Sequence, residues 1–165
     1  MNIDNNDILI RLRYALDIKN TEMVEIFKLG GIELSKDEVL KVLTKSMDMD
    51  ELEIEDQIPC DDEMFESFLN GFITFKRGKQ EPKPGQPEKP AITCEHVNNL
   101  LLKKVKIALS LTSEDMIEIL ELADVVMTKS ELGAILRREG HKNYRICGDR
   151  YARNFLKGLA IRYRG

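Results

Sequence analysis

The sequence predicts an all-α chain made by tandem duplication, with about four helices in each of two repeats and little or no sheet. Three observations carry this. Asn5–Lys45 aligns with Asn98–Arg138 without a gap, with about a dozen identities that include Asn5/Asn98, Asn6/Asn99, Ala15/Ala108, Met23/Met116, Ile26/Ile119 and Glu38/Glu131. After a shift in spacing the match resumes, pairing Cys60, Asp62, Phe68, Leu69 and Gly71 with Cys147, Asp149, Phe155, Leu156 and Gly158. Within each repeat, apolar residues return at helical spacing, and no segment shows the two-residue alternation of a half-buried strand.

Asn6 is the expected cap of a first helix whose apolar side is Ile8, Leu9, Leu12, Ala15 and Leu16. Asn20 or Thr21 restarts a helix through Met23, Val24, Ile26, Phe27 and Leu29, and Gly30-Gly31 stops it. Ser35 and Glu38 have the spacing of a capping box, in which each side chain takes up the other residue's free backbone donor. Val39, Leu40, Val42 and Leu43 form the apolar side of that third helix. A fourth begins at Asp62 and carries Met64, Phe65, Phe68, Leu69, Phe72, Ile73 and Phe75, too apolar for an isolated surface helix and therefore expected at the centre.

Residues 1–77 form the first repeat, interrupted by an acidic insert at 46–59 that is absent from its counterpart. Asp48-x-Asp50 hints at a calcium loop, but Glu53 stands where glycine is required and Pro59 where glutamate is, so a solvated acidic loop is expected. Residues 78–90, with prolines at 82, 84, 87 and 90, read as an extended linker, which also accounts for the Pro84-x-x-Pro87 spacing. Residues 91–165 repeat the plan. Leu101, Leu102, Val105, Ala108 and Leu109 form the first face, with Lys104 and Lys106 where Arg11 and Arg13 stood. Thr112 or Ser113 caps the next helix, through Met116, Ile117, Ile119, Leu120 and Leu122. Thr128 and Glu131 form the second capping box, and the helix runs through Leu132, Ile135 and Leu136 into Arg137-Arg138. The last helix, from Asp149, holds Tyr151, Ala152, Phe155, Leu156, Leu159 and Tyr163.

Composition narrows the function classes. No apolar run approaches the ~18–20 residues that cross a bilayer, and the polar, acidic start lacks the pattern of a signal peptide. With three cysteines and no Cys-x-x-Cys pair, free thiols and a cytoplasmic location are expected. Neither His96 nor His141 has a partner at metal-ligand spacing, and no phosphate-binding glycine loop occurs, so no cofactor, no metal and no enzymatic activity are expected. Cys60 and Cys147 precede the fourth helix of each repeat, and packing at a helix entrance explains them better than reactivity.

Charge separates the copies. Residues 1–90 carry 12 Lys/Arg against 20 Asp/Glu, and residues 91–165 carry 13 against 9. Arg150, Arg153, Lys157 and Arg164 recur near one stripe of the last helix. With Arg137, Arg138, His141, Lys142, Tyr144 and Arg145 they make a basic region with one interleaved aromatic, the candidate interaction surface. A solvated face, or a surface docked on the acidic first copy, explains it; phosphate neutralisation is the alternative. Sequence-specific reading of DNA is not favoured, because the turn from Leu29 to Val39 is too long for a helix-turn-helix and Ser130–Arg138 offers no early base-reading side chain.

The chain resembles the YehS-like proteins, a bacterial family of small cytoplasmic proteins with a duplicated domain of unknown function. The resemblance rests on Asn5-Asn6, Ser35-x-x-Glu38, Cys60 and Phe68-Leu69-x-Gly71 in the first copy. In the second it rests on Asn98-Asn99, Thr128–Arg138, the run Glu139–Arg145, Cys147 and Phe155-Leu156-x-Gly158-Leu159. It implies no activity, cofactor or catalytic residue. The expectation is a non-enzymatic protein-interaction module, binding a protein partner or a second copy of itself, with RNA or DNA backbone binding by the second repeat as the alternative.

Overall fold

A computed structural model describes residues 4–43, 58–78, 95–137 and 140–164. The described residues contain eight α-helices and no strand: α1 Asn5–Ala15, α2 Asn20–Leu29, α3 Lys36–Val42, α4 Asp62–Arg77, α5 Val97–Ala108, α6 Ser113–Leu122, α7 Lys129–Leu136 and α8 Asp149–Arg164. Most of the acidic insert and most of the proline-rich linker lie outside them, as do the Asp48-x-Asp50 and Pro84-x-x-Pro87 spacings and Arg138.

Local signals set most helix ends. Glu38 N–H donates to Ser35 Oγ at 3.1 Å, and Ser35 N–H to Glu38 Oε1 at 2.9 Å. Thr128 and Glu131 do the same in the second repeat, as do Thr112 and Asp115 at the start of α6. After α2 the chain turns through Gly31 at φ 94°, and the equivalent Asp124 takes the same left-handed turn at φ 63°.

The start of α1 differs from expectation. Asp4 is the cap, accepting from Asp7 N–H at 2.8 Å. Asn6 instead lies inside the first turn and is buried, because its amide serves long-range partners. It donates to Val42 O and Ile58 O at 2.6 and 2.9 Å and accepts from Cys60 N–H at 3.0 Å. Asn99 repeats this in α5, donating to Ile135 O and Arg145 O at 3.1 and 2.8 Å and accepting from Cys147 N–H at 2.8 Å. Asn5 and Asn98 add donations to Cys60 O with Asp62, and to Cys147 O with Asp149. Each Asn-Asn pair thus ties the end of the third helix and the start of the fourth to the first. A buried amide that satisfies three backbone groups holds an irregular connector where water cannot.

Within each repeat the second and fourth helices touch backbone to backbone. A Cβ on Gly71 would lie 2.0 Å from Ile26 O, and one on the equivalent Gly158 1.9 Å from Ile119 O. Between repeats the pairing is exchanged. The first helix of each repeat packs on the last helix of the other, α1 against α8 and α5 against α4, so both repeats share one apolar core. Phe65, Phe68, Leu69 and Phe72 of α4 are fully buried in it, which agrees with the central place expected for that helix. Some side chains assigned to the apolar faces point outward: Leu29, Leu40, Leu122 and Tyr163 are exposed. They sit at the margins of their stripes.

Candidate functional site

The connector before α8 is the part of the second repeat that differs most from the first. Asn99 holds its end through Arg145 O and Cys147 N–H, and Arg145 N–H donates to Ala134 O at 3.0 Å. Its start turns through Gly140 at φ 97°, after which Tyr144 N–H donates to His141 O, and Asn143 N–H to His141 Nδ1 at 3.0 Å. His141 is therefore an acceptor within its own turn. Arg137 is extended and ends α7, and its guanidinium donates to Asn143 O at 3.3 Å.

Tyr144 is half-buried. Its hydroxyl donates to Glu95 Oε1 at 3.2 Å and its ring lies under the Lys103 ammonium, 5.4 Å from the centroid. Lys103 also pairs with buried Glu95. Nearby, burial lowers the pKa of Lys104, which the carboxylates of Glu66 and Glu95 oppose. Sequence reasoning missed Glu95 and Lys103, since neither stands out by spacing and the contact that joins them to the connector, Tyr144 to Glu95, spans 49 residues.

The basic stripe of α8 divides. Arg164 docks on the first repeat, donating to Tyr14 O and Asp17 Oδ1, both at 3.1 Å, with its guanidinium 4.3 Å from the Tyr14 ring centroid. Arg162, not singled out from sequence, pairs with Asp115 at 3.6 Å on α6. Arg150, Lys157, Lys142 and Arg145 are exposed, Arg153 is half-buried, and no described carboxylate pairs with any of the five. Ile146, 60% exposed, sits between Arg145 and the buried Cys147.

Cys60 and Cys147 are free, buried thiols. Burial, helped by Asp149, pushes Cys147 up to about 12, and burial with Asp61, Asp62 and Asp4 does the same for Cys60. Both remain thiols at neutral pH and fill helix entrances. Among the described residues no group of His, Cys, Asp and Glu is arranged to hold a metal, and no helix is long and apolar enough to cross a membrane. Two surface depressions are lined by Val24, Lys28, Glu33, Leu34, Ser35 and Glu38, and by Glu118, Glu121, Leu122 and Arg162; in the first, Ser35 and Glu38 are engaged with each other's backbone as the cap of α3.

The duplicated architecture agrees with comparison to known proteins. A family model described as "Protein of unknown function (DUF1456)" matches residues 5–78 and again 98–165. The chain belongs to this family. It is 39% identical over 158 residues to "Uncharacterized protein YehS" of Escherichia coli (strain K12), covering 96% of this chain and 95% of that protein. No solved structure matches the chain. The two matched segments each contain one Asn-Asn anchor and one close glycine contact, so the family's repeat unit coincides with the features that hold each half together.

Proposed function

We propose that this member of the family is a cytoplasmic, non-enzymatic interaction module that docks an acidic protein surface on the basic face of its second repeat. The observation that carries the reading is exposed Ile146 among exposed Lys142, Arg145 and Arg150, none of them paired with a described carboxylate. An exposed apolar side chain with unpaired cations close to it in sequence suits a partner that offers carboxylates beside an apolar patch. The aromatic that would favour nucleic-acid binding is committed elsewhere, since Tyr144 is held by Glu95 and Lys103 and is not offered for base stacking. Backbone binding to RNA or DNA is the second reading, supported by the unpaired stripe Arg150, Arg153 and Lys157.

The test compares full-length protein with Ile146→Glu and Arg150→Glu as affinity baits in extracts of the producing cell, with and without nuclease. The reading expects the same proteins to be retained by the wild type after nuclease and lost by both substitutions. Retention that disappears with nuclease, and salt-sensitive binding of purified oligonucleotides, would replace it with the second reading. Equal recovery on all three baits would remove both.

A further inference from the structure

Arg164, at the end of α8, donates to Tyr14 O and Asp17 Oδ1 at the end of α1, and the packing of these two helices is among the most extensive in the fold. They therefore run in the same direction, end beside end and start beside start. Seven and eleven residues are close to two and three whole turns, so Lys157 and Arg153 lie on the flank of α8 that carries Arg164. Gly158 and Arg162, on the other flank, face α6. On α1 the same step of seven leads from Tyr14 back to Asp7, and Asp4 caps the first turn by accepting from Asp7 N–H. Lys157 is then level with Asp7, and Arg153 with Asp4. Neither cation forms a contact ion pair with a described carboxylate, so the attraction acts as a field across the seam.

The other seam, α4 against α5, has the opposite arrangement. Glu66 stands on α4 where Arg153 stands on α8, and it is buried. On α5, Lys103 reaches back to pair with Glu95, which brings an ammonium to the start of that helix, the end at which α1 has Asp4 and Asp7. Lys104 lies beside it, and burial lowers its pKa against the opposing carboxylates of Glu66 and Glu95. As paired, the α1–α8 seam sets Asp4 and Asp7 against Arg11, Arg153 and Lys157, and the α4–α5 seam sets Glu66 and Glu95 against Lys103 and Lys104.

Pairing of like repeats would undo both balances. Two first repeats would bring α4 onto α1 and collect Glu66, Asp4 and Asp7 against Arg11 alone. Two second repeats would bring α8 onto α5 and collect Arg153, Lys157, Lys103 and Lys104 against Glu95 alone. The buried apolar residues do not discriminate, because Leu9 and Leu102, Phe68 and Phe155, and Leu69 and Leu156 are the same in both copies. Selectivity then falls to the charges, since bringing like charges together rejects the wrong partner.

We infer that the face formed by α1 and α4 is a docking surface selective for the α5 and α8 face of a second repeat, in the same chain or in a second copy, and that it rejects another first repeat. Association between chains would accordingly proceed by reciprocal exchange of repeats. The inference does not depend on Ile146 or the connector, so it stands apart from the protein-docking reading.

The experiment has two arms, both starting from the full-length protein. In the first, Asp7→Lys and Lys157→Glu are made singly and together, and urea unfolding gives the equilibrium constant of each. The expected result is that each single reversal destabilises and the double reversal recovers, with a coupling of at least about fivefold at low salt that fades in about 1 M salt. Additive effects would show that Lys157 does not lie opposite Asp7 and would overturn the placement of the charges. In the second arm, a protease site inserted between Gly85 and Gln86 is cut after folding, the halves are separated in urea and returned to buffer, and native mass spectrometry counts the pairs. The expected result is first–second pairs alone for the natural residues, and added second–second pairs for Arg153→Glu with Lys157→Glu, whose α8 then faces Lys103 and Lys104 with carboxylates. Like pairs as frequent as mixed pairs with the natural residues would overturn the selectivity. Mixed pairs alone in the doubly reversed protein would assign the selectivity to the apolar surfaces and overturn the role of the charges.

Discussion

Replacing Asn99 by alanine tests the central structural argument, that buried asparagines hold the irregular connectors to the first helix of each repeat. Asn99 is fully buried and makes three hydrogen bonds, two donated to Ile135 O and Arg145 O and one accepted from Cys147 N–H. Each is worth about 1 kcal/mol net, and a backbone group left buried without a partner costs about 1–3 kcal/mol, so the change should cost about 3–5 kcal/mol. In a chain of this size that corresponds to roughly 10 °C in melting temperature. Urea unfolding followed by far-UV circular dichroism measures it as a lower midpoint at unchanged slope. Asn6→Ala should cost a similar amount, because its three partners are equivalent. A loss below about 1 kcal/mol for either would mean that packing alone positions the connector, and the account of the anchors would be wrong.

Three further outcomes follow from particular contacts. Gly71→Ala and Gly158→Ala should each destabilise by about 3 kcal/mol or more, since the new Cβ meets a backbone carbonyl at 2.0 and 1.9 Å, whereas Gly133→Ala, inside α7 with open space around it, should stabilise by about 1 kcal/mol. The thiols set a pH dependence. Folded Cys60 and Cys147 keep their protons up to about 12, while the unfolded thiols lose theirs from about 8.5, so the folded state binds more protons between those values and stability falls as pH rises through that window. By pH 9.5 the loss should be about 1.4 kcal/mol for each thiol, visible in denaturation midpoints and absent from the double serine variant once its own baseline is subtracted. Arg164→Ala should cost only about 1 kcal/mol, as its ion pair with Asp17 is exposed and the stack on Tyr14 supplies most of the contact; a mixing experiment with Asp17→Asn in a double-mutant cycle separates the two.

Much of the fold was legible in the order of residues. Both capping boxes, the Gly30-Gly31 stop and the apolar faces depend on neighbours within one or two turns, so their physics is local and appears in the sequence. The duplication was equally plain, because identical side chains recur at one offset. The asparagines show the limit. Asn6 has the composition of a cap and stands beside a helix start, yet its partners are Val42, Ile58 and Cys60, up to 54 residues away. That both copies retain Asn-Asn was the available signal, but it does not say which distant carbonyls the amides meet.

The sequence by itself determined eight amphipathic helices in two editions and an excess of cations in the second. Only the tertiary structure decided which helices meet. The exchange of first helices between repeats leaves no periodicity to read, since a helix stripe is equally apolar whether it faces its own repeat or the other. Tertiary packing also assigned the cations. The exchange placed Arg164 on Tyr14, the packing of α8 on α6 within the second repeat placed Arg162 on Asp115, and Arg150, Arg153 and Lys157 are left without a carboxylate partner among the described residues. Pairing of charges across a seam is a property of two surfaces brought together, and the order of residues along one chain does not contain it.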